Sequence, residues 1–432
     1  MRVHLETLGC RLNEAELERW SRDFTASGCR ITTDPADADL VVVNTCAVTQ
    51  EAVRKSRKLV RRAQRANPHA KLVVSGCYAS LDPLETEQAL GVDLVIGNQM
   101  KDRLVEITRQ KLDLHVMPEI ATEPGENPLL ARGRQRAFVK VQDGCRYRCT
   151  YCIITVARGD ERSRPMDAIV DEINLLHAEG IQEVVLTGVH LGGYGSDRNS
   201  DLTTLITGVL ERTAIPRLRL GSVEPWDLPD DFWRLFENPR FMPHLHLPLQ
   251  SGSDTVLRRM ARRCKTAEFA RLVAEARRSI PGFNVTTDII VGFPGETPSE
   301  WQESLAFVER VGFGHLHIFA YSPRAGTRAA VMPDQVDPDT KKQRSHEMHA
   351  LGARLKRETL ERFAGSTCEV LIEGKENGKQ GAAGCWFGYT PHFLPVAIQA
   401  DDTAALENRI MRVRLGQPNA EGNQLTGRLS DD

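Results

Sequence analysis

The chain has 432 residues, a formal net charge of −2, 41% hydrophobic residues and 26% charged residues. That length exceeds one ordinary domain, the composition excludes global disorder, and the near-neutral balance excludes a chain-wide nucleic-acid surface, so RNA or DNA contact has to come from local patches. No run approaches the ~18 apolar residues of a membrane span, and the opening MRVHLETLGC lacks the regions of a secretory signal, so a cytoplasmic protein without membrane contact is expected.

Residues 1–110 alternate short apolar runs with helical patterns. VHLETLG (3–9), LVVVN (40–44), KLVVSG (71–76) and DLVIG (93–97) read as buried parallel strands, with helices near 13–27 and 50–66, so an open α/β sheet is expected. Residues 111–136 are polar, contain Pro118, Pro124 and Pro128, and read as a linker. The alternation resumes over 137–335, with candidate strands at 137–142, 183–188, 217–222, 244–249, 285–292 and 315–320 and helical patterns near 167–179, 201–213, 254–260, 266–278 and 298–311. Six βα units imply a partial or complete parallel barrel, with a doubly wound open sheet as the competing reading. Residues 336–364 predict one long charged helix, with Gly365 as its stop. EVLIEG, GCWFGYT, HFLPVAIQA and IMRVRLG then predict a small all-β barrel over 366–432.

The ten cysteines carry most of the chemical information. Thiols stay reduced in the cytosol, so clustered cysteines point to metal or redox chemistry and away from disulfides. Cys145, Cys149 and Cys152 form a C-x3-C-x2-C run directly after the first strand of the barrel-like part. Three thiolates on one loop can hold three irons of a [4Fe–4S] cluster and leave the fourth open; a zinc site short of one ligand is the alternative. Cys10, Cys46 and Cys77 each fall just past the C-terminal end of a predicted parallel strand. Those ends share one edge of an open sheet, where ligands collect, so three thiols far apart in sequence are expected to converge and hold a second such cluster. Three unrelated buried thiols are the alternative there. Cys29, Cys264, Cys368 and Cys385 lack a partner motif and read as structural thiols.

The C-x3-C-x2-C run in this context resembles the radical S-adenosylmethionine superfamily. That resemblance implies S-adenosylmethionine chelated to the open iron and cleaved by electron transfer to a 5′-deoxyadenosyl radical. Two three-cysteine sets in one chain resemble its methylthiotransferases more narrowly, through LGCRLNEAE, VVNTCAVT, SGCY, DGCRYRCTYC, ARGDERSR, LTGVHLGGYG, HLHLPLQSGSD, TTDIIVGFPGET and YSPRAGT. The resemblance covers nearly the whole chain and implies an N-terminal cluster domain, a radical barrel and a C-terminal TRAM-like β-barrel that binds RNA. NTCAVTQEAVRKSR (44–57) and TGVHLGGYG (187–195) look most like the branch that modifies threonylcarbamoyladenosine beside the tRNA anticodon. Methylthiolation of isopentenyladenosine in tRNA or of a ribosomal-protein aspartate are the other branches, and a non-catalytic RNA-binding iron–sulfur protein is a reading from another class. The resemblance also implies two [4Fe–4S] clusters, S-adenosylmethionine, and a flavodoxin- or ferredoxin-type electron donor. Thr155 stands where the family commonly has proline and Cys264 where an aromatic is common.

Further contacts follow from position. Gly192 and Gly193, in the loop after the second barrel strand, permit close backbone approach to a ligand, and Ser222, Glu224 and Gln250 end the next two strands at the mouth where barrel ligands sit. His190, His244 and His246 read as packing or supporting groups, and Tyr151 as packing against the cluster. Arg54, Arg57, Arg61 and Arg65 lie on a cationic helix starting near Cys46 and are the candidate RNA contacts, with further basic runs at 132–148 and 258–265. Residues 366–432 hold six Lys and Arg against nine Asp and Glu, which suits an RNA-binding barrel less well; the aromatics of 385–389 are either stacking faces or barrel core.

Overall fold

The computed structural model describes residues 1–112, 135–375, 384–400 and 405–430. The expected linker lies almost wholly outside the described residues.

The N-terminal part is a five-stranded parallel sheet of β1 (Arg2–Thr7), β2 (Arg30–Thr32), β3 (Leu40–Thr45), β4 (Lys71–Gly76) and β5 (Leu94–Ile96), in the order β2-β1-β3-β4-β5. α1 (Arg11–Ala26), α2 (Gln50–Ala66), α3 (Cys77–Leu81), α4 (Pro83–Leu90) and α5 (Leu104–Lys111) cover it. β3 is buried along its whole length, as its unbroken LVVV run requires of a strand with helices on both faces. Thr7 pairs with Asn44 and Thr45 with Gly76, so this register makes β1, β3 and β4 end level with one another. The edge strand β2 escapes sequence reading because three half-exposed residues carry no periodicity.

The central part contributes β6 (Arg136–Lys140), β7 (Gln142–Asp143), α6 (Ile154–Arg158), β8 (Arg162–Ser163), α7 (Met166–Ala178), β9 (Glu183–Thr187), α8 (Leu202–Arg212), β10 (Arg217–Leu220), β11 (His244–His246), α9 (Asp254–Arg259), α10 (Thr266–Ser279), β12 (Asn284–Val291), α11 (Pro298–Val311) and β13 (His315–Ala320). β6, β9 and β10 pair in parallel, and so do β11, β12 and β13. Single bridges at Leu218–Phe241 and Ser222–His246 join the two halves. The six strands therefore follow chain order around a partial barrel, as expected, and the doubly wound alternative drops out. Ala137, Val139, Leu218, Leu220 and Leu316 pack outward against the helix layer, so Phe138, Arg219 and His317 point into the lumen. β6 and β13 are the two edges of this partial barrel. α1 lies on β6, where Ala15 packs on Phe138 and Val185, so the N-terminal part sits across the barrel's open side.

α12 (Pro338–Phe363) spans 26 residues and leads into a closed barrel of β14 (Thr367–Lys375), β15 (Cys385–Tyr389), β16 (Pro395–Gln399), β17 (Ile410–Pro418) and β18 (Leu425–Leu429). β18 also escapes sequence reading, because LTGRL is too short and glycine-interrupted to carry a strand pattern. Trp386 belongs to this small barrel's core, while Tyr389 stacks on Phe393 beneath the radical barrel. Arg217 and Arg219 donate to the carbonyls of Tyr389, Thr390 and Pro391 at 2.8–3.2 Å, and Arg136 sits over Tyr389 and pairs with Glu373 at 2.6 Å. The C-terminal barrel thereby floors the lumen.

Glu183 is the counter-charge of that floor. It is fully buried and pairs with Arg136 at 2.6 Å, Arg219 at 2.9 Å and Arg217 at 4.0 Å. Burial opposes its ionisation, but the three guanidiniums outweigh that and hold it down at about 2. Its stabilising contribution is complete above about pH 4.5 and is lost as pH falls through 4.5 toward about 2. Glu183→Gln keeps the volume and leaves Arg217 and Arg219 buried without a counter-charge, while Arg136 keeps Glu373, so a loss of about 3–5 kcal/mol is expected at neutral pH. Urea unfolding at pH 7 checks this, and a loss below about 1 kcal/mol would contradict it.

Candidate functional site

The first cysteine set converges as the level strand ends require. Cys10 caps α1 just after β1, Cys46 follows β3, and Cys77 opens α3 directly after β4. Gly9 has φ +124°, and a Cβ there would lie 2.8 Å from Cys46 Cβ and 3.0 Å from its Sγ. Gly76 has φ +105°, and a Cβ there would lie 2.1 Å from the Thr45 carbonyl. Only glycine lets these chain ends close on one another. Asn13 ties them together, its Nδ2 donating to the carbonyls of Leu8 at 2.8 Å and Thr45 at 3.2 Å. Ser56 on α2 donates to the Cys46 carbonyl and accepts from its N–H. Burial first, and then charge on Cys10 and Cys77, push the Cys46 thiol up to about 11.

The second set lies on the loop between β7 and β8, whose short antiparallel pairing pins its base. Cys145 is pushed up to about 12 by burial and then by the Glu224 carboxylate and the neighbouring thiols, and Cys152 to about 11 by burial and then by charge on Cys149. Thiols held neutral by burial and by one another become ligands only when a cation replaces their protons. Among the described residues, no three thiols lie within 4.8 Å of one another. One tetrahedral zinc ion holds its sulfurs roughly 4 Å apart. The members of each triad are close enough to feel each other's charge, which is compatible with the separated corners of an iron–sulfur cube. The departures leave both sets intact. Thr155 donates to the Tyr147 carbonyl at 2.8 Å, and Cys264 packs in the barrel core. Tyr151 packs beside Val256 and Met260.

The two sets meet. α3, which starts at Cys77, packs on α6, which follows Cys152, and Cys77, Tyr78, Ala79 and Ala157 share one core. Asn98 donates to both Cys77 Sγ at 3.7 Å and the Ala157 carbonyl at 2.8 Å. Arg158, at the end of α6, is 1% exposed. It donates to Glu16 at 3.0 Å, Asp143 at 3.0 Å and Asn13 at 2.9 Å. Lys101 completes the group through Glu16 and Asn44, and Lys140 reaches Asp143 at 3.4 Å. Burial opposes ionisation of Glu16, but Arg158, Lys101 and Lys140 hold its carboxyl well below the usual range. Sequence reading misses this junction. Nothing in helical periodicity marks Glu16 or Arg158 as buried, although Arg158 stands in the ARGDERSR string.

The expected cofactor contacts occupy two depths. Ser222 is exposed at the mouth, paired through a backbone bridge with His246. Gln250 holds φ +80°, a conformation a non-glycine residue adopts only where its surroundings enforce it, and bridges to Ile289. Glu224 is raised by burial and lies beside His190 and Arg262. Gly192 and Gly193 sit behind these. A Cβ on Gly192 would come 2.5 Å from Asp227 Cβ, and one on Gly193 would come 2.4 Å from His190 Nδ1. The glycines thus admit a buried clamp in which His190 bridges Glu161 at 2.5 Å and Asp227 at 2.6 Å, with Tyr147 donating to Asp227. Burial disfavours the His190 imidazolium, but these carboxylates raise its pKa overall. No spacing in the sequence marks Glu161 or Asp227; they buttress the Cys145 loop from behind. Arg262 donates to the Pro248 carbonyl at 2.5 Å and lies 4.0 Å from Cys149 Sγ and over Trp226.

On α2, Ser56, Val60 and Ala63 face the core, leaving Arg54, Arg61 and Arg65 outward. Arg54 pairs with Glu51 on its own helix. Arg57 is engaged within the protein, donating to Glu85 at 2.6 and 2.8 Å and to Tyr78 at 3.1 Å. The other basic runs are divided between exposed and engaged residues: Arg146, Arg148, Arg258, Arg263 and Lys265 are exposed. Lys140 is buried, Arg136 is half-buried and paired with Glu183 and Glu373, Arg259 forks onto Glu300, and Arg263 lies over Tyr147; Arg132 and Arg134 lie outside the described residues. No helix among the described residues is long and apolar enough to cross a membrane.

Residues 2–97 match the uncharacterized protein family UPF0004, and residues 139–308 match the radical SAM superfamily. The chain is 35% identical to the threonylcarbamoyladenosine tRNA methylthiotransferase MtaB of Bacillus subtilis, over 97% of this chain and 95% of that one. It is 37% identical to MtaB of Thermotoga maritima, over 86% of each. It is also 34% identical to the tRNA-2-methylthio-N(6)-dimethylallyladenosine synthase of Anoxybacillus flavithermus, over 87% of this chain and 74% of that one. The fold is shared with the radical S-adenosylmethionine methyltransferase TsrM from Kitasatospora setae, at TM-score 0.58 and 15% identity over 76% of this chain and 75% of that one.

Proposed function

The chain belongs to the radical S-adenosylmethionine methylthiotransferase family, and we propose that it adds a methylthio group to C2 of N6-threonylcarbamoyladenosine at position 37 of tRNA. The observation that carries this reading is the meeting of two three-thiol sites across the α3–α6 contact, on a chain aligned nearly end to end with methylthiotransferases. The reaction replaces C2–H by C2–S–CH3. One S-adenosylmethionine supplies the methyl group, and another takes up the hydrogen atom and leaves as 5′-deoxyadenosine and methionine.

Cys145, Cys149 and Cys152 would hold the [4Fe–4S] cluster that supplies the radical chemistry, and Cys10, Cys46 and Cys77 a second cluster from which sulfur is delivered. The chain's own residues do the positioning. Asn13 and Arg158 hold the two cysteine edges together, and Glu161, His190 and Asp227 hold the Cys145 loop from behind. Ser222, Glu224 and Gln250 line the mouth where S-adenosylmethionine would lie. A flavodoxin- or ferredoxin-type donor supplies electrons, and a tRNA substrate agrees with a cytoplasmic location.

Iron and product analysis of single variants test the division of labour. Anaerobically reconstituted protein is expected to hold about eight irons. Cys149→Ala is expected to abolish 5′-deoxyadenosine formation, whereas Cys46→Ala retains part of it and yields no methylthiolated nucleoside. Equal loss of 5′-deoxyadenosine in both variants, with iron retained at the unaltered site, would contradict the assignment.

The tRNA backbone is read by α2, which begins beside Cys46. Arg57 is committed to Glu85, so Lys58, Arg61 and Arg65 are the phosphate contacts, with Arg54 at the near end. Reversing Lys58, Arg61 and Arg65 to Glu should weaken tRNA binding and flatten its logarithmic salt dependence by about one unit for each phosphate no longer neutralised. Filter binding across a salt series decides this. An unchanged slope would leave α2 a solvated face.

A further inference from the structure

The open side of the radical barrel carries one cation that no step above uses. Arg11 is the first residue of α1 and the immediate neighbour of Cys10. Its side chain is 63% exposed and makes a monodentate contact to Glu14 at 3.0 Å. Its guanidinium lies 5.0 Å from the ring centroid of Phe138 on edge strand β6, so its exposed donors sit at the barrel's open side. Its charge also reaches His317 on the opposite edge strand β13. Arg11 therefore stands in the gap between the barrel's two edges, above a floor where Glu373 is already paired with Arg136.

The far wall of that gap is chemically distinct. The lumen-facing residues of β13 are His315, His317 and Phe319, all exposed, and Phe319 is 48% exposed despite being a large apolar side chain. His246 stands beside His317 with ring centroids 5.3 Å apart and is held by Asp288 at 3.1 Å. An uncovered aromatic, an imidazole pair and a guanidinium across one opening form a site for a flat ring bearing an anionic substituent.

We propose that Arg11, with His317 opposite, forms a carboxylate subsite that recognises the threonyl carboxylate of the N6 substituent. This rests on the reading of threonylcarbamoyladenosine as the substrate. In adenine, C2 and C6 flank N1, so a base presenting C2 to a site that includes Cys10 projects its N6 substituent along the same edge. The residue next to Cys10 is then in reach of that substituent. A dimethylallyl group carries no charge and gives a guanidinium there nothing to bind. The subsite thus supplies a chemical basis for choosing between the two nucleosides. Arginine suits the role because its planar fork binds a carboxylate bidentately, with donors beyond the one facing Glu14.

The test is binding of anticodon stem-loops to the reconstituted full chain, read by fluorescence anisotropy under anaerobic conditions. Three stem-loops are compared: the threonylcarbamoyl acid, the same group as its primary amide, and dimethylallyladenosine. The wild-type protein is expected to bind the acid about tenfold or more tightly than the amide. Arg11→Gln should close that gap by weakening the acid alone, and Arg11→Lys should restore part of it. Iron content of each variant reports that the cysteine sites are intact. Equal weakening of acid and amide by Arg11→Gln, or no change in either, overturns the subsite while leaving the substrate reading in place. A wild-type protein that is indifferent to the carboxylate and prefers and methylthiolates the dimethylallyl stem-loop overturns the substrate reading and the subsite with it.

Discussion

Arg158 joins what would otherwise be two separate three-cysteine sites. It ends the short helix that comes after Cys152, and its guanidinium is spent wholly on the other side of the junction and on the base of its own loop, through Asn13, Glu16 and Asp143. A buried cation with three good partners is a costly arrangement unless all of them are held in place, and removal of one partner leaves an uncompensated charge. The junction therefore has one geometry. Because Asn13 also bridges the carbonyls before Cys10 and Cys46, that geometry is transmitted directly to the N-terminal thiols. The same constraint sets where Arg11 points, since it lies on the helix that carries Asn13 and Glu16.

The barrel's other end is organised by a similar device with different consequences. Three arginines share Glu183; Arg217 and Arg219 also donate to carbonyls of the small C-terminal barrel, and Arg136 pairs with its Glu373. That barrel is thereby fixed beneath the lumen, and Tyr389 and Phe393 serve as its contact faces. The sequence-level choice between stacking faces and core for residues 385–389 resolves toward packing for Trp386 and Tyr389. The cationic face of α2 beside Cys46 remains the better match to a phosphate backbone.

Much of this architecture is legible in the amino-acid sequence. Parallel strands announce themselves as apolar runs, and cysteines placed just past three of them have to share an edge once the sheet forms. The C-x3-C-x2-C run needs only local spacing. What cannot be read is everything that depends on burying charge. Glu16, Arg158, Glu183 and Arg219 look like surface residues in any periodicity count, and their burial depends on partners distant in sequence, 142 residues apart for Arg158 and Glu16 and 36 for Arg219 and Glu183. Cationic runs mislead in part in the same way: Arg136 and Arg259 are taken up by the buried carboxylates of Glu183 and Glu300, and Arg57 by the surface carboxylate of Glu85. Short elements such as β2 and β18 lack the length for a pattern and form because neighbouring strands offer them a ladder.

The central claim is that both three-thiol sites converge on the Arg158 junction. Electron paramagnetic resonance of the reconstituted protein with both clusters reduced tests it most directly. Two clusters held by α3 and α6 in contact should show mutual spin–spin broadening, and Arg158→Met should diminish that broadening while both clusters remain. Two sharp, non-interacting signals in the wild-type protein, or one signal accounting for all the iron, would contradict the account.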